Sequence, residues 1–204
     1  MRRRVRTFVA IELPAEVRHR ACQLIDSLRR SSETDVRWVT PDQLHWTLKF
    51  LGDVDLLEIP EICRRLTKAV APLAPFDVGA RGAGAFPDAL HPRTVWIGVR
   101  EGLEPMIALH ATVENVLADL GFRQEQRRFR PHITLGRIRN GAAGGQQEFS
   151  QRLKEFADFD AGISTVFEVA LFSSQSGPNG PIYEPLGHAE LAAGPRGPAS
   201  GRRR

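Results

Sequence analysis

The sequence predicts an α+β fold of two lobes, each a small antiparallel sheet with helices on its outer side, and three observations carry that reading. Apolar stripes at helical spacing are interspersed with runs of adjacent β-branched and aromatic segments, and neighbouring strands in such runs favour antiparallel pairing. A His-x-Thr-hydrophobic tetrapeptide occurs twice, as His45-Trp46-Thr47-Leu48 and as His132-Ile133-Thr134-Leu135. The copies lie too far apart for one hairpin, but they suit two pseudo-repeated halves that each lend a strand to a shared cleft.

In chain order, Thr7 to Leu13 reads as a strand, and Pro14 suits the first turn of the helix that follows. Val17, Ala21, Leu24, Ile25 and Leu28 recur at helical spacing to about Arg30. After a loop from Ser31 to Asp35, Val36 to Val39 is a short strand, Pro41-Asp42 a turn, and Leu44 to Leu51 the first motif strand, stopped by Gly52-Asp53. Pro60 opens a second helix with the stripe Ile62, Cys63, Leu66, Ala69 and Val70, which Pro72 and Pro75 end. Phe76 to Phe86 is Gly-rich but extended, and a Pro-marked connection leads to the strand Thr94 to Val99.

The second half opens at Pro105 with a helix striped by Met106, Leu109, Val113, Val116, Leu117 and Leu120, closed by Gly121 as a left-handed cap. Phe129 to Ile138 contains the second motif strand, Asn140 to Gly145 is a Gly/Ala loop, and Phe149 to Phe156 is a short helix. Strands from Ser164 to Ser173 and Ile182 to Leu191 flank the turn Gly177-Pro178-Asn179-Gly180. Residues 1–192 are expected to form one bilobal domain, and residues 193–204 a disordered basic tail.

At 204 residues, 42% hydrophobic and 25% charged, the chain can bury a sizeable core, which excludes wholesale disorder. The formal charge of +4 is weak evidence for nucleic-acid binding until it is located. Arg2, Arg3, Arg4 and Arg6 at the start and Arg196, Arg202, Arg203 and Arg204 at the end supply eight positive charges, and setting them aside leaves the body at −4. Within the body, Arg123 to Arg139 holds six arginines against Glu125 alone, a local excess that surrounds the second motif and would guide in a polyanion. Cys22 and Cys63 read as buried free thiols of a reducing compartment. Glu12 and Pro14 break the apolar run after the basic start, and no stretch approaches the ~20 apolar residues of a membrane span, so a cytoplasmic location is expected.

Strand alternation puts His45 with Thr47, and His132 with Thr134, on one face, while Trp46, Leu48, Ile133 and Leu135 pack on the other. Continued unbroken, it gives Lys49 to the motif face and Phe50 to the packing face. Imidazole titrates near neutrality, so two rings at one cleft are a candidate acid and base. Arg137 presents a planar fork suited to an oxyanion, yet three residues beyond Thr134 it should face the wrong way unless Gly136 permits a bulge. Trp96 and Tyr183 are aromatic candidates for stacking on a base, whereas Trp46 and Phe50 are assigned to packing. His19, His91, His110 and His188 lack the following Thr and are read as structural. Two histidines with Asp42 and Asp53 in turns do not make a zinc spacing, so neither metal nor other cofactor is expected.

These stretches carry a family resemblance. Arg6-Thr7-Phe8-Val9-Ala10-Ile11, Val36-Arg37-Trp38-Val39, Leu44 to Gly52, Gly84-Ala85-Phe86-Pro87, Val95 to Val99, Phe129 to Arg137 and Tyr183-Glu184-Pro185-Leu186 stand in the expected order. Over about residues 5 to 191 the chain resembles the two-histidine (2H) phosphoesterase superfamily, and within it the bacterial RNA 2′,3′-cyclic phosphodiesterases once described as 2′-5′ RNA ligases. The resemblance implies a bilobal fold with the active cleft between the two sheets. It further implies metal-independent hydrolysis of RNA 2′,3′-cyclic phosphate ends to 2′-phosphomonoesters. By resemblance His45 is the general acid and His132 the base, with Thr47, Thr134 and Arg137 binding substrate; the residues themselves leave open which imidazole does which. The expected partner is an RNA or oligonucleotide with a 2′,3′-cyclic phosphate end, with no membrane or obligate protein partner, and a monomer is expected. Reversible 2′-5′ ligation, a non-catalytic RNA- or nucleotide-binding module and a metallohydrolase are the alternatives.

Overall fold

A computed structural model describes residues 3–30, 34–139, 145–178 and 180–192; the expected basic tail and most of the loop after residue 139 lie outside the described residues. The strands are β1 (Arg4–Glu12), β2 (Val36–Trp38), β3 (His45–Asp55), β4 (Phe76–Phe86), β5 (Thr94–Val99), β6 (His132–Ile138), β7 (Asp160–Val166), β8 (Glu168–Gly177) and β9 (Gly180–Glu190). The helices are α1 (Ala15–Arg30), α2 (Ile59–Val70), α3 (Leu103–Ala118) and α4 (Gln146–Glu155), with a single 3₁₀ turn at Pro41–Gln43. None of the helices among the described residues is long and apolar enough to cross a membrane.

The α+β class holds, as a curled antiparallel sheet of two lobes. Strands run in the order β7-β4-β5-β6-β3-β1-β8-β9, and β2 adds to β6. The lobes are not the two halves of the chain. One combines β4 and β5 with β6 and β7, the other β1 and β3 with β8 and β9. The segment expected as one strand from Ser164 to Ser173 is therefore two. β7 pairs with β4 and β8 with β1, so the chain passes from one lobe to the other at Phe167.

The helices cover one face. Val17, Ala21, Leu24, Ile25 and Leu28 of α1 are buried as their spacing predicts, α1 packing on β7 and α2 on β9 and α3. A continuous apolar core beneath the helices runs through both lobes and includes Trp46, Leu48, Ile133 and Leu135. Burying such side chains contributes about 1.5–3 kcal/mol each. Cys22 and Cys63 are free and half-buried.

The first motif strand does not stop at Gly52. It continues to Asp55, with Gly52 at φ +76° opposite Thr7. The β1–β3 register slips twice, between Val9↔Lys49 and Ala10↔Thr47 and between Thr7↔Gly52 and Phe8↔Phe50, which leaves Leu48 and Leu51 as extra residues. In the β5–β6 register, Val95 pairs with Gly136 but Trp96 with Thr134, so Leu135 is extra. Each motif thus carries a bulge at the Leu after its Thr. A bulge resets the alternation, so the residue three beyond the Thr returns to the motif face. From His45 to Phe50 and from His132 to Arg137 the burial patterns match position for position: half-buried, buried, half-buried, buried, buried, exposed.

Two expectations fall with that bulge. Phe50 is 58% exposed on the open face, and Lys49 is turned into the interior. Its ammonium lies 2.7 Å from Glu114 of α3 and donates to the Arg123 carbonyl at 2.9 Å, while the other Glu114 oxygen accepts the Glu125 amide at 3.3 Å. The bulge expected at Gly136 falls one residue earlier. Gly136 serves a different need, since a Cβ there would stand 2.9 Å from the Trp38 ring and 2.8 Å from Val36.

Lys49→Met should cost about 3 kcal/mol or more in urea unfolding at pH 7, because it leaves the Glu114 carboxylate buried without its cation. Adding Glu114→Leu should recover most of the loss.

Candidate functional site

Where the lobes meet, β3 and β6 share one ladder pair, Trp46↔Ile133, while β2 pairs with β6 from Gly136 to Ile138. Both side chains of the seam pair are fully buried in the helix-side core. Residues on either side of such a pair point the opposite way. His45, Thr47, His132 and Thr134 therefore share the open face. His45 and His132 are diagonal neighbours across that pair, positions that in a regular ladder stand about 7–8 Å apart, and the charge of His132 is felt at His45.

The same device orients both imidazoles. The His45 Nδ1 lies 2.8 Å from the Gln43 carbonyl and the His132 Nδ1 2.7 Å from the Arg130 carbonyl, in each case the residue two before. A carbonyl only accepts, so each Nδ1 carries a proton and each neutral ring offers an unprotonated Nε2. The Thr47 hydroxyl donates to the His45 Nε2 at 2.8 Å. Each ring rests on an aromatic neighbour, Phe8 at 5.0 Å from His45 and Phe86 at 4.9 Å from His132.

Burial disfavours the imidazolium and holds His45 down to about 4, with nearby His132 acting in the same direction and the Gln43 carbonyl opposing. His132 is also lowered, chiefly by burial and further by Arg137 and Arg130, against the Arg130 carbonyl. Both rings are thus neutral at pH 7 in the free protein.

Arg137 reaches the open face through the Leu135 bulge, with Nη1 3.4 Å from the Thr94 hydroxyl. Sequence reasoning does not mark Arg37 or Gln43 as site residues, and Tyr183, a stacking candidate by sequence, lies against an imidazole. Arg37 stands directly opposite Arg137 in the β2–β6 register, and among the described residues no carboxylate pairs with either. Tyr183 packs edge-on to His45 at 5.4 Å, its phenol raised by burial against the pull of Arg137 and Arg37. Gln43 accepts from the Thr40 amide at 3.1 Å, donates to the Pro181 carbonyl at 2.8 Å and holds His45 with its own carbonyl. Its signal is positional, being two residues before the His, and the equivalent Arg130 shares no side-chain chemistry with it. Like-charged residues directly opposite each other are destabilising, so the Arg37 and Arg137 pair favours an anion between or above them.

Of the other aromatic candidates, Trp46 is buried, whereas Phe50 lies 5.8 Å from Phe8 and beside the motif residues. The histidines set aside as structural have local partners. His19 contacts Gln23, His91 contacts Asp88 and His110 stacks on Phe129 at 3.8 Å. Among the described residues, Glu12, Glu168 and His188 bring three possible metal-ligand atoms within 4.8 Å of one another, and neither His45 nor His132 belongs to that group.

A family model for the 2′-5′ RNA ligase superfamily matches residues 14–177. Proteins named RNA 2′,3′-cyclic phosphodiesterase from Methanothermobacter thermautotrophicus and Thermotoga maritima are each 33% identical to this chain. The alignments cover 88% of this chain and 95% of the first protein, and 93% and 97% for the second. Among solved structures, TT0787 of Thermus thermophilus has a TM-score of 0.75 at 27% identity, covering 91% of this chain and 97% of that one. Escherichia coli LigT complexed with 3′-AMP has a TM-score of 0.71 at 26% identity, covering 94% and 100%.

The depressed His45 gives the fold a pH signature. The unfolded ring takes a proton as pH falls below about 6.5 while the folded ring resists until about 4, so this part of the stability is present at pH 7 and lost on acidification. Urea unfolding at pH 7 and pH 5 should show a loss of about 2 kcal/mol attributable to this ring, and His45→Gln should remove that part of the difference.

Proposed function

Because this chain belongs to the 2′-5′ RNA ligase superfamily, we propose that it opens RNA 2′,3′-cyclic phosphate ends to 2′-phosphomonoesters without a metal, using His45 and His132 as its acid and base. The observation that carries the reading is the matched orientation of the two imidazoles, diagonal across one seam, with each Nδ1 tied to a carbonyl and each Nε2 left as the unprotonated nitrogen that can exchange a proton, that of His45 beside the Thr47 hydroxyl. Relatives named RNA 2′,3′-cyclic phosphodiesterase over most of this chain's length support the substrate class.

In this mechanism the His132 Nε2 takes a proton from water as the water oxygen bonds to phosphorus. The P–O3′ bond breaks and protonated His45 gives its proton to the departing 3′ oxygen, leaving the phosphate on O2′. The bound anion prepares the acid, since a negative charge beside His45 raises its affinity for the proton it must donate. Protonation also ends the role of His45 Nε2 as acceptor for Thr47, which it meets at 2.8 Å in the free protein: Nε2–H is then the proton offered to the departing 3′ oxygen, and the Thr47 hydroxyl is released to donate to a non-bridging phosphate oxygen. Thr134, Arg137 and Arg37 meet the remaining charge, the guanidinium fork of Arg137 binding two oxygens at once. Phe50 offers its exposed ring to the terminal base. All these residues come from one chain, so a monomer suffices.

The test is an oligonucleotide ending in a 2′,3′-cyclic phosphate, with chelator present. Turnover to the 2′-phosphate is expected for the wild type, with a fall of about 100-fold or more in kcat for His45→Ala and for His132→Ala. Arg137→Ala should lower kcat/KM by roughly 100-fold. Unchanged turnover in either histidine variant, or loss of wild-type turnover on chelation, would overturn the assignment.

The pH profiles carry a second expectation. The kcat/KM bell reports the free protein, in which both rings are lowered, so its centre should lie below pH 6.5; the kcat bell should sit at higher pH, because bound substrate raises the acid. Coincident bells in stopped-time assays across pH 4 to 9 would contradict this account.

A further inference from the structure

Beyond His132 the open face of the β4–β6 lobe continues as a groove of about 740 Å³, a volume typical of ligand sites. Its floor is the Trp96 indole, which lies flat across the sheet because glycine occupies the two positions beneath it. A Cβ at Gly84 would stand 2.4 Å from the ring and one at Gly98 3.1 Å. Phe86 extends the aromatic surface, with its centroid 5.2 Å from Trp96 and 4.9 Å from His132. Arg81, Arg100, Arg128 and Arg130 line the same groove. Arg100 pairs with Asp158 at 3.3 Å, and Arg130 lies over the Phe86 ring at 4.8 Å. Among the described residues no carboxylate pairs with Arg81, Arg128 or Arg130.

A flat aromatic floor walled by unneutralised guanidinium groups is the composition that binds single-stranded nucleic acid, bases stacking on the rings and phosphates meeting the cations. We infer that this groove holds the RNA strand preceding the reacting end, so that the protein recognises an oligonucleotide and not its terminal nucleotide alone. The inference rests on the phosphodiesterase reading for the position of that end. It adds a second subsite that adjoins the histidine seam at His132, whose contribution is affinity for chain length.

The experiment compares a 2′,3′-cyclic mononucleotide with a tetranucleotide ending in the same cyclic phosphate, for the wild type, Trp96→Ala and Arg128→Ala. Wild-type KM should be about tenfold or more lower for the tetranucleotide, and each variant should erase most of that advantage while changing mononucleotide KM less than twofold. Equal KM for the two lengths, or equal losses on both substrates, overturns the proposal. Fluorescence anisotropy with tetranucleotide and mononucleotide forms of the 2′-phosphate product measures the same preference without turnover, so absence of catalysis would sink the phosphodiesterase reading and leave the groove to be judged by binding. Arg128→Ala, at an exposed position, should also reduce the salt slope of log Kd for the tetranucleotide by about 0.7; an unchanged slope counts against a phosphate contact there.

Discussion

One cross-strand contact, Trp46 against Ile133, places both imidazoles. The two side chains are buried together beneath the helices, and that burial sets the register of the seam. In a sheet with one packed face, a slip of one residue by either strand would carry its member of the pair to the open side and its histidine into the core, so the apolar pair specifies the position of the polar ones. The seam is a single pair because β2 takes the remaining edge of β6. Each lobe therefore holds one ring independently, oriented by a carbonyl two residues before it, in the segment that leads into its strand.

The bulges at Leu48 and Leu135 set what surrounds the rings. They stand at the same offset in both motifs, and each returns the residue three beyond the threonine to the open face. In one lobe that residue is Phe50 and in the other Arg137. The pseudo-symmetry of the backbone thus presents two different chemistries at equivalent places, an aromatic ring beside His45 and a guanidinium beside His132. In the proposed reaction these suit the two parts of a nucleotide, the base and the phosphate. The same bulge turns Lys49 inward, where its pairing with Glu114 and the Arg123 carbonyl ties the first motif strand to α3 and to the segment that leads toward Arg130.

The open face carries costs that the core offsets. Burial lowers the proton affinity of both imidazoles, and two arginines face each other across β2 and β6 without a carboxylate among the described residues. Each of these is unfavourable in the free protein and relieved by an anion at the seam. Substrate charge then does two things at once, neutralising the guanidinium groups and raising the basicity of the proposed acid.

Much of this was legible in the sequence. The α+β class, the apolar stripe of α1 and the extended course of Phe76–Phe86 follow from local periodicity, because a helix or strand buries residues at a fixed spacing. The duplicated His-x-Thr marks the candidate site for the same reason, since strand alternation alone puts each histidine and its threonine on one face. Tertiary structure decided what local periodicity does not encode. Which strands join which lobe depends on long-range pairing, and so β4 and β5 sit with β6 and β7 although the motif repeat suggests two consecutive halves. Bulges arise from register between partners, which is why Lys49 and Phe50 exchange the faces that simple alternation assigns them and why Arg137 reaches the site at all. Arg37, Gln43 and Tyr183 join the seam from separate segments through cross-strand pairing and side-chain packing, contacts that exist once the chain has closed on itself.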